Sequence, residues 1–339
     1  MNVYELTRAL IDIESVTLNE EAVGNFLFDY LVPLAERYNG AVERMEVEPR
    51  RFNVFAHWGE PFTVTLSTHM DTVPPFFASR EDETYIWGRG ACDTKGIIAA
   101  MIHAVEGLLE AGERGFGLLF VVGEERNSAG AYQAARDGRG SRYIVNGEPT
   151  GNKLALASKG VLRYEVAATG KMAHSAYPEL GDSAVHKLID ALAQIRKLPL
   201  PVDGLLGPST LNIGTLAGGR APNVVADEAH ADIMVRLVGD SAETKTALAA
   251  AVDGRAELRE VIEIPAARLN TIPDIETTVV AFTTDIPAFG GTWGEPFLIG
   301  PGSIHVAHTL EERIPKTELA EAISLYQRIV RHLCKTASK

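Results

Sequence analysis

Acids and histidines recur along this 339-residue chain directly after short apolar runs. TVTLS is followed by His69 and Asp71, FVV by Glu124 and Glu125, YIVN by Glu148, and FLIG by His305 and His308. In an open α/β sheet, functional groups gather just past the C-terminal ends of the strands. His69 and Asp71 stand two apart in an extended segment, so their side chains reach the same side. A carboxylate on one imidazole nitrogen fixes the tautomer and raises the other nitrogen's basicity as a metal ligand. Asp93 precedes a strongly apolar helix, a place that equally suits an N-cap. Glu124 and Glu125 are neighbours facing opposite ways, so they cannot share one role. Two such charges at the mouth of a buried strand repel unless a cation or a function compensates.

Each residue taken singly has a bland reading: a satisfied polar pair, a cap, two solvated glutamates. The recurrence of His69, Asp93, Glu125, Glu148 and His308 at strand ends is what points to a metal centre. Mixed imidazole and carboxylate donors suit Zn²⁺, Co²⁺ or Mn²⁺ better than Mg²⁺. A carboxylate using both oxygens can bridge two ions about 3.5–4 Å apart.

The elements that must position these groups follow from periodicity. Val3, Leu6, Leu10 and Ile13 share a helical face, and Thr17 with Glu20 reads as a capping box opening a second helix. Strands at 63–67, 116–122 and 143–146 alternate with helices at 96–112 and from 128 to Gly138. This rhythm implies a mostly parallel sheet covered by helices on both faces. Between 159 and 265 the order becomes β-α-β-β-α-β, a ferredoxin-like sandwich with edge strands able to pair with another copy. The α/β pattern resumes afterwards, with a closing helix near the C-terminus. The expected organisation is a discontinuous main domain, 1–158 and 266–339, with a smaller domain inserted at 159–265.

Composition narrows the class. The 32 Lys+Arg against 45 Asp+Glu give a net charge of −13, which argues against general affinity for nucleic acid or anionic membrane. Cys92 and Cys334 are too few for a disulfide framework. No signal-peptide pattern opens the sequence and no apolar run is long enough to span a bilayer, so a cytoplasmic protein is expected. Three G-x-G triplets lack the third glycine of a dinucleotide fingerprint, and neither HExxH nor GxSxG occurs.

The ordered set STHMDTVP, GRGACDTKG, GEE, GEPT, AHSAYP, RAPNVVADEAHADIMVR and GPGSIHVAHTLEE, with ESVT near the start, resembles the zinc-dependent aminoacylase and carboxypeptidase family. That family includes acetylornithine deacetylase, succinyl-diaminopimelate desuccinylase and bacterial glutamate carboxypeptidase. The resemblance implies a metal-dependent exopeptidase-like fold with two Zn²⁺, Co²⁺ and Mn²⁺ being substitutes. It makes His69 a ligand of the first metal with Asp71 orienting it. Asp93 bridges both metals and is followed by a cis peptide. Glu124 is the general base, Glu125 and His308 bind the second metal, and Glu148 completes the first site. His174, in the inserted domain, reaches the active site of the other subunit of a homodimer. Asn223 and Arg236 lie in the substrate-contacting segment, and His305 has no place in the pattern.

The expected reaction is hydrolysis of an amide bond in an N-acyl amino acid. N-acetyl-L-ornithine, cleaved to L-ornithine and acetate in arginine biosynthesis, is the first choice, followed by acetyl-lysine and acetyl-citrulline. Arg236, with Arg220 nearby, would hold an α-carboxylate by a bidentate pair, and Glu311 or Glu312 would meet a cationic side chain. Succinyl-diaminopimelate and dipeptides come next. A metal-binding module without catalysis is the rival from another class; it would usually lose a ligand or the base, and all are present.

Overall fold

The computed structural model describes residues 1–337. By compactness the described chain divides into two units, Met1–Leu156 with Leu269–Thr278 and the residues from Thr284 onward, and Ala157–Arg268 with Val279–Thr283.

The first unit is built on a six-stranded sheet in the order Ala41–Glu48, Arg51–Trp58, Phe116–Val121, Val64–His69, Tyr143–Asn146, Glu295–Leu298. The last four strands in that order run parallel, so their C-terminal ends share one edge. Val64–His69, Phe116–Val121 and Tyr143–Asn146 are buried throughout, as expected of strands covered on both faces. The apolar helix Gly96–Glu110 contributes to the large core on one face together with the closing helix Lys316–Ala337. A smaller core around Phe55, Leu119, Phe289 and Trp293 lies on the other face.

Two local features depart from what periodicity and capping rules predict. The antiparallel hairpin Ala41–Trp58 has an outer strand that is largely exposed, so its alternation carries little apolar signal. The capping box at Thr17 and Glu20 does not form. Helix Glu21–Tyr38 starts without a side-chain cap, the Glu20 carboxylate takes two hydrogen bonds from Arg51 at 2.8 and 2.7 Å, and the Thr17 hydroxyl donates to Asp71 at 2.8 Å. Both side chains have stronger, charge-assisted partners in distant segments than a helix end offers.

The second unit contains the four-stranded antiparallel sheet Thr210–Gly218, Glu228–Leu237, Gly160–Thr169, Glu257–Ile264. Helices Ala184–Ile195 and Ala242–Val252 add Leu188, Leu192 and Leu248 to its core. In chain order this is β-α-β-β-α-β, with the first and third strands at the centre of the sheet. The inserted ferredoxin-like domain is thus present.

Candidate active site

His69 is the last residue of its strand, and Glu124, Glu125, Glu148 and His308 all follow the C-terminal ends of parallel strands. Asp93 arrives from the side, in a tight turn at Ala91–Lys95 that leads into helix Gly96–Glu110. Its backbone angles, φ −128° and ψ 80°, are not helical and its side chain caps nothing, so the N-cap reading fails. The Asp93–Thr94 peptide is cis, as the family resemblance implies.

The chain brings the acids and imidazoles together around Asp93. His69 Nδ1 lies 3.0 Å from the Asp71 carbonyl, which leaves Nε2 aimed at Asp93 Oδ1 at 3.0 Å and Glu148 Oε1 at 3.9 Å. On the other side, His308 Nε2 lies 3.0 Å from Glu125 Oε1 and 3.2 Å from Asp93 Oδ2. Two groups with metal-ligand spacing result, His69–Asp93–Glu148 and Asp93–Glu125–His308, and they share Asp93 through different oxygens.

Asp71 does more than orient His69. Its carboxylate sits 3.5 Å from His69 Nδ1, farther than its own carbonyl. The same carboxylate accepts the backbone N–H groups of Gly123, Glu124 and Glu125 at 3.0, 3.1 and 3.2 Å, besides the Thr17 hydroxyl. Burial opposes its charge, but the hydrogen bonds from His69, Thr17 and Glu125 hold it below the ordinary carboxylate range. One buried anion therefore fixes both the His69 imidazole and the turn that carries the two glutamates. Gly123 makes that turn with φ +82°, a region where L side chains are strained.

The electrostatics test whether a cation fits. Burial pushes Glu124, Glu125 and Glu148 upward, and repulsion from neighbouring acids adds to it. Glu148 Oε1 is buried and has no hydrogen-bond partner among the described residues. The carboxylates of Asp93 and Glu125 on either side of His308 Nε2 push the imidazole up to about 10, as an electronegative cradle does. An orphaned buried oxygen and an excess of buried acids over imidazoles are the signature of a site built for divalent cations. The residues fit the group.

Asp285 is a further acid that the sequence gives no reason to single out. It is buried at the end of the TTD segment beside Ser128, and burial raises its pKa to about 7. An isolated aspartate between weak elements carries no signal. His305 is exposed, and its ring has no role in either ligand group.

His174, Asn223, Arg220 and Arg236 belong to the second unit. His174 is exposed; its Nδ1 accepts the Ala176 N–H at 3.1 Å and its backbone bridges to Val224. Asn223 is beside it, with its carbonyl accepting the Ser175 N–H at 3.0 Å. Arg236 lies within strand Glu228–Leu237, its Nη1 3.5 Å from Thr283 Oγ1. Arg220, expected to help hold a carboxylate, is instead paired with Asp227 at 3.0 Å and Glu228 at 3.1 Å. Glu312, expected to meet a cationic substrate, is fully buried against Arg89 at 2.5 Å and is not available to one.

The arrangement is a candidate carboxylate–imidazole metal centre. Comparison with known proteins gives the family. Residues 65–332 match the model of peptidase family M20/M25/M40. A "Peptidase M20 domain-containing protein" of Schizosaccharomyces pombe is 36% identical over 97% of this chain and 84% of its own length. A "Probable carboxypeptidase" of Aspergillus niger is 35% identical over 95% of this chain and 88% of its own. The crystal structure of a tripeptidase from Staphylococcus aureus superposes with a TM-score of 0.83 at 21% identity, covering 98% of each chain. The chain belongs to the M20 metallopeptidase family and is a hydrolase of that class.

Proposed function

We propose that this chain hydrolyses the amide bond next to a free α-carboxylate, as a carboxypeptidase, dipeptidase or N-acyl amino acid hydrolase, with Glu124 as its general base. The observation that carries the reading is the division of labour among the clustered acids. Glu125 and Glu148 each belong to a ligand group, whereas Glu124, carried on the same turn as Glu125, belongs to neither. A carboxylate held in place yet uncommitted is what proton transfer requires.

Two divalent cations of the zinc class, held by His69, Asp93 and Glu148 and by Asp93, Glu125 and His308, would supply Lewis acidity toward the carbonyl and acidify the attacking water. Glu124 takes a proton from that water as the oxygen bonds to the carbonyl carbon. When the C–N bond breaks, Glu124 returns the proton to the departing amine nitrogen, so the carboxylate is regenerated. Burial and the charges of Glu148, Asp285 and Glu125 push the Glu124 carboxyl upward, against the opposing effect of His69. Asp71 keeps the base in register by binding its backbone N–H.

His174 of the second subunit in a homodimer is the proposed donor to the carbonyl oxygen, and Asn223 and Arg236 the proposed substrate contacts. The carboxypeptidase names of the relatives favour peptides over acetylated amino acids. N-acetylornithine, acetyl-lysine and acetyl-citrulline follow, because burial of Glu312 withdraws one of the two acids assigned to a cationic side chain. Turnover of dipeptides, tripeptides and N-acetyl amino acids by zinc- and cobalt-loaded enzyme tests the reading. Each substrate with a free carboxylate should exceed its carboxamide in kcat/KM by at least about tenfold, or ~1.4 kcal/mol. Equal rates on both forms would exclude the proposed polarity, and no turnover despite full metal loading would favour a binding module.

A further inference from the structure

Glu312 is buried with no part in either ligand group, yet its contacts converge on the segment that carries Asp93. Its Oε2 accepts from Arg89 Nη1 at 2.5 Å. Cys92 Sγ stands 3.9 Å from Oε1. The main chain adds to this: the Gly88 N–H donates to the Glu312 carbonyl at 3.2 Å, and Arg313 and Ile314 pair with Trp87 and Ile86 in an antiparallel ladder. Glu312 therefore sits where the strand after His308 is zipped to the strand before Asp93. His308 is four residues upstream of Glu312, and Arg89 is four residues upstream of Asp93.

The His308–Asp93 side of the centre is assembled from segments far apart in the chain, whose ligand atoms must meet at 3.2 Å. His308 itself is half exposed and adopts φ +63°, so neither packing nor favoured backbone geometry fixes it locally. We propose that Glu312 is a positioning residue for the Asp93–Glu125–His308 metal site. Its carboxylate ties the Arg89 guanidinium and the Cys92 thiol, just before Asp93, to the segment that presents His308. A carboxylate suits this role because an amide in its place could not pair with the buried Arg89 charge. The inference rests on the two-cation reading above.

The test compares wild type with Glu312→Gln and Glu312→Asp, using zinc alone as the probe. Bound zinc per chain and the affinity of each equivalent are measured by competition with a chelator. Partners that orient metal ligands typically contribute 10–100-fold to affinity. Wild type should bind two equivalents. Glu312→Gln should keep the first and weaken the second by 10–100-fold, with turnover recovering as free zinc is raised. Glu312→Asp, which keeps the charge and shortens the reach, should fall between. A role in stability alone would lower the melting temperature and leave both affinities at wild-type values in both variants, and that result overturns the proposal. If Glu312→Gln does not fold, Glu312→Asp carries the same comparison, with a weakened second equivalent supporting the proposal and an unchanged one overturning it. Wild type that binds two zinc ions and cleaves none of the test substrates would sink the proposed function but not this inference. Wild type that binds fewer than two would overturn both.

Discussion

Asp93 offers one carboxylate oxygen to each imidazole, and the Asp71 carboxylate accepts hydrogen bonds from the residues around that pair. Such anions are costly to bury and costlier to leave short of a donor. Thr17 supplies one of those donors. Thr17→Val should therefore destabilise the protein by about 1.5–3 kcal/mol, the usual cost for a hydrogen bond to a charged group, and Thr17→Ser should restore it. Thermal unfolding of the three proteins checks this; a Thr17→Val midpoint equal to wild type would contradict it. The pairing of Thr17 with Asp71 is not legible in the sequence because its partner lies 54 residues away, while Glu20 offers a plausible cap three residues on. The place of Glu312 is hidden for the same reason, since Arg89 is 223 residues distant. The candidate ligand types are legible because strand ends concentrate them: His69, Glu125, Glu148 and His308 each follow a short segment that reads as a strand.

Among the elements, the turn after strand Phe116–Val121 is tightly constrained. Gly123 takes φ +82°, and a Cβ there would approach Arg51 Nη2 to 3.0 Å and Asn127 Oδ1 to 3.1 Å. Arg51 is itself buried and locked to Glu20 and Glu48, so it cannot easily withdraw. Gly123→Ala should shift the turn and misplace Glu124. Displacements near 1 Å can cost about 10²-fold in rate. We predict a fall of that order in kcat/KM, and a variant within threefold of wild type would show the turn to be more compliant than its contacts imply. Strands and helices with strong apolar periodicity are readable from the sequence, including Gly96–Glu110 and the parallel strands. The hairpin Ala41–Trp58 is not, because its stabilising contacts come from the sheet it joins rather than from its own pattern.

At the scale of the whole molecule, the inserted domain leaves strand Thr210–Gly218 at the edge of its sheet, mostly exposed. An uncovered edge is a template for pairing with a second chain. On the dimer reading, mixing His174→Ala with Glu124→Ala homodimers should restore part of the activity after subunit exchange, because some heterodimers contain one site with both groups intact. A sedimentation run showing only monomer at micromolar concentration would contradict that reading. The net charge of −13 argues against a general affinity for polyanions. The most direct measurement pairs zinc content with turnover in Glu124→Ala. Acid–base assistance is worth about 10²–10⁴-fold, so the variant should bind as much zinc as wild type while losing at least about a hundredfold in kcat. Full metal content with kcat within tenfold of wild type would contradict the assignment of Glu124 as the base.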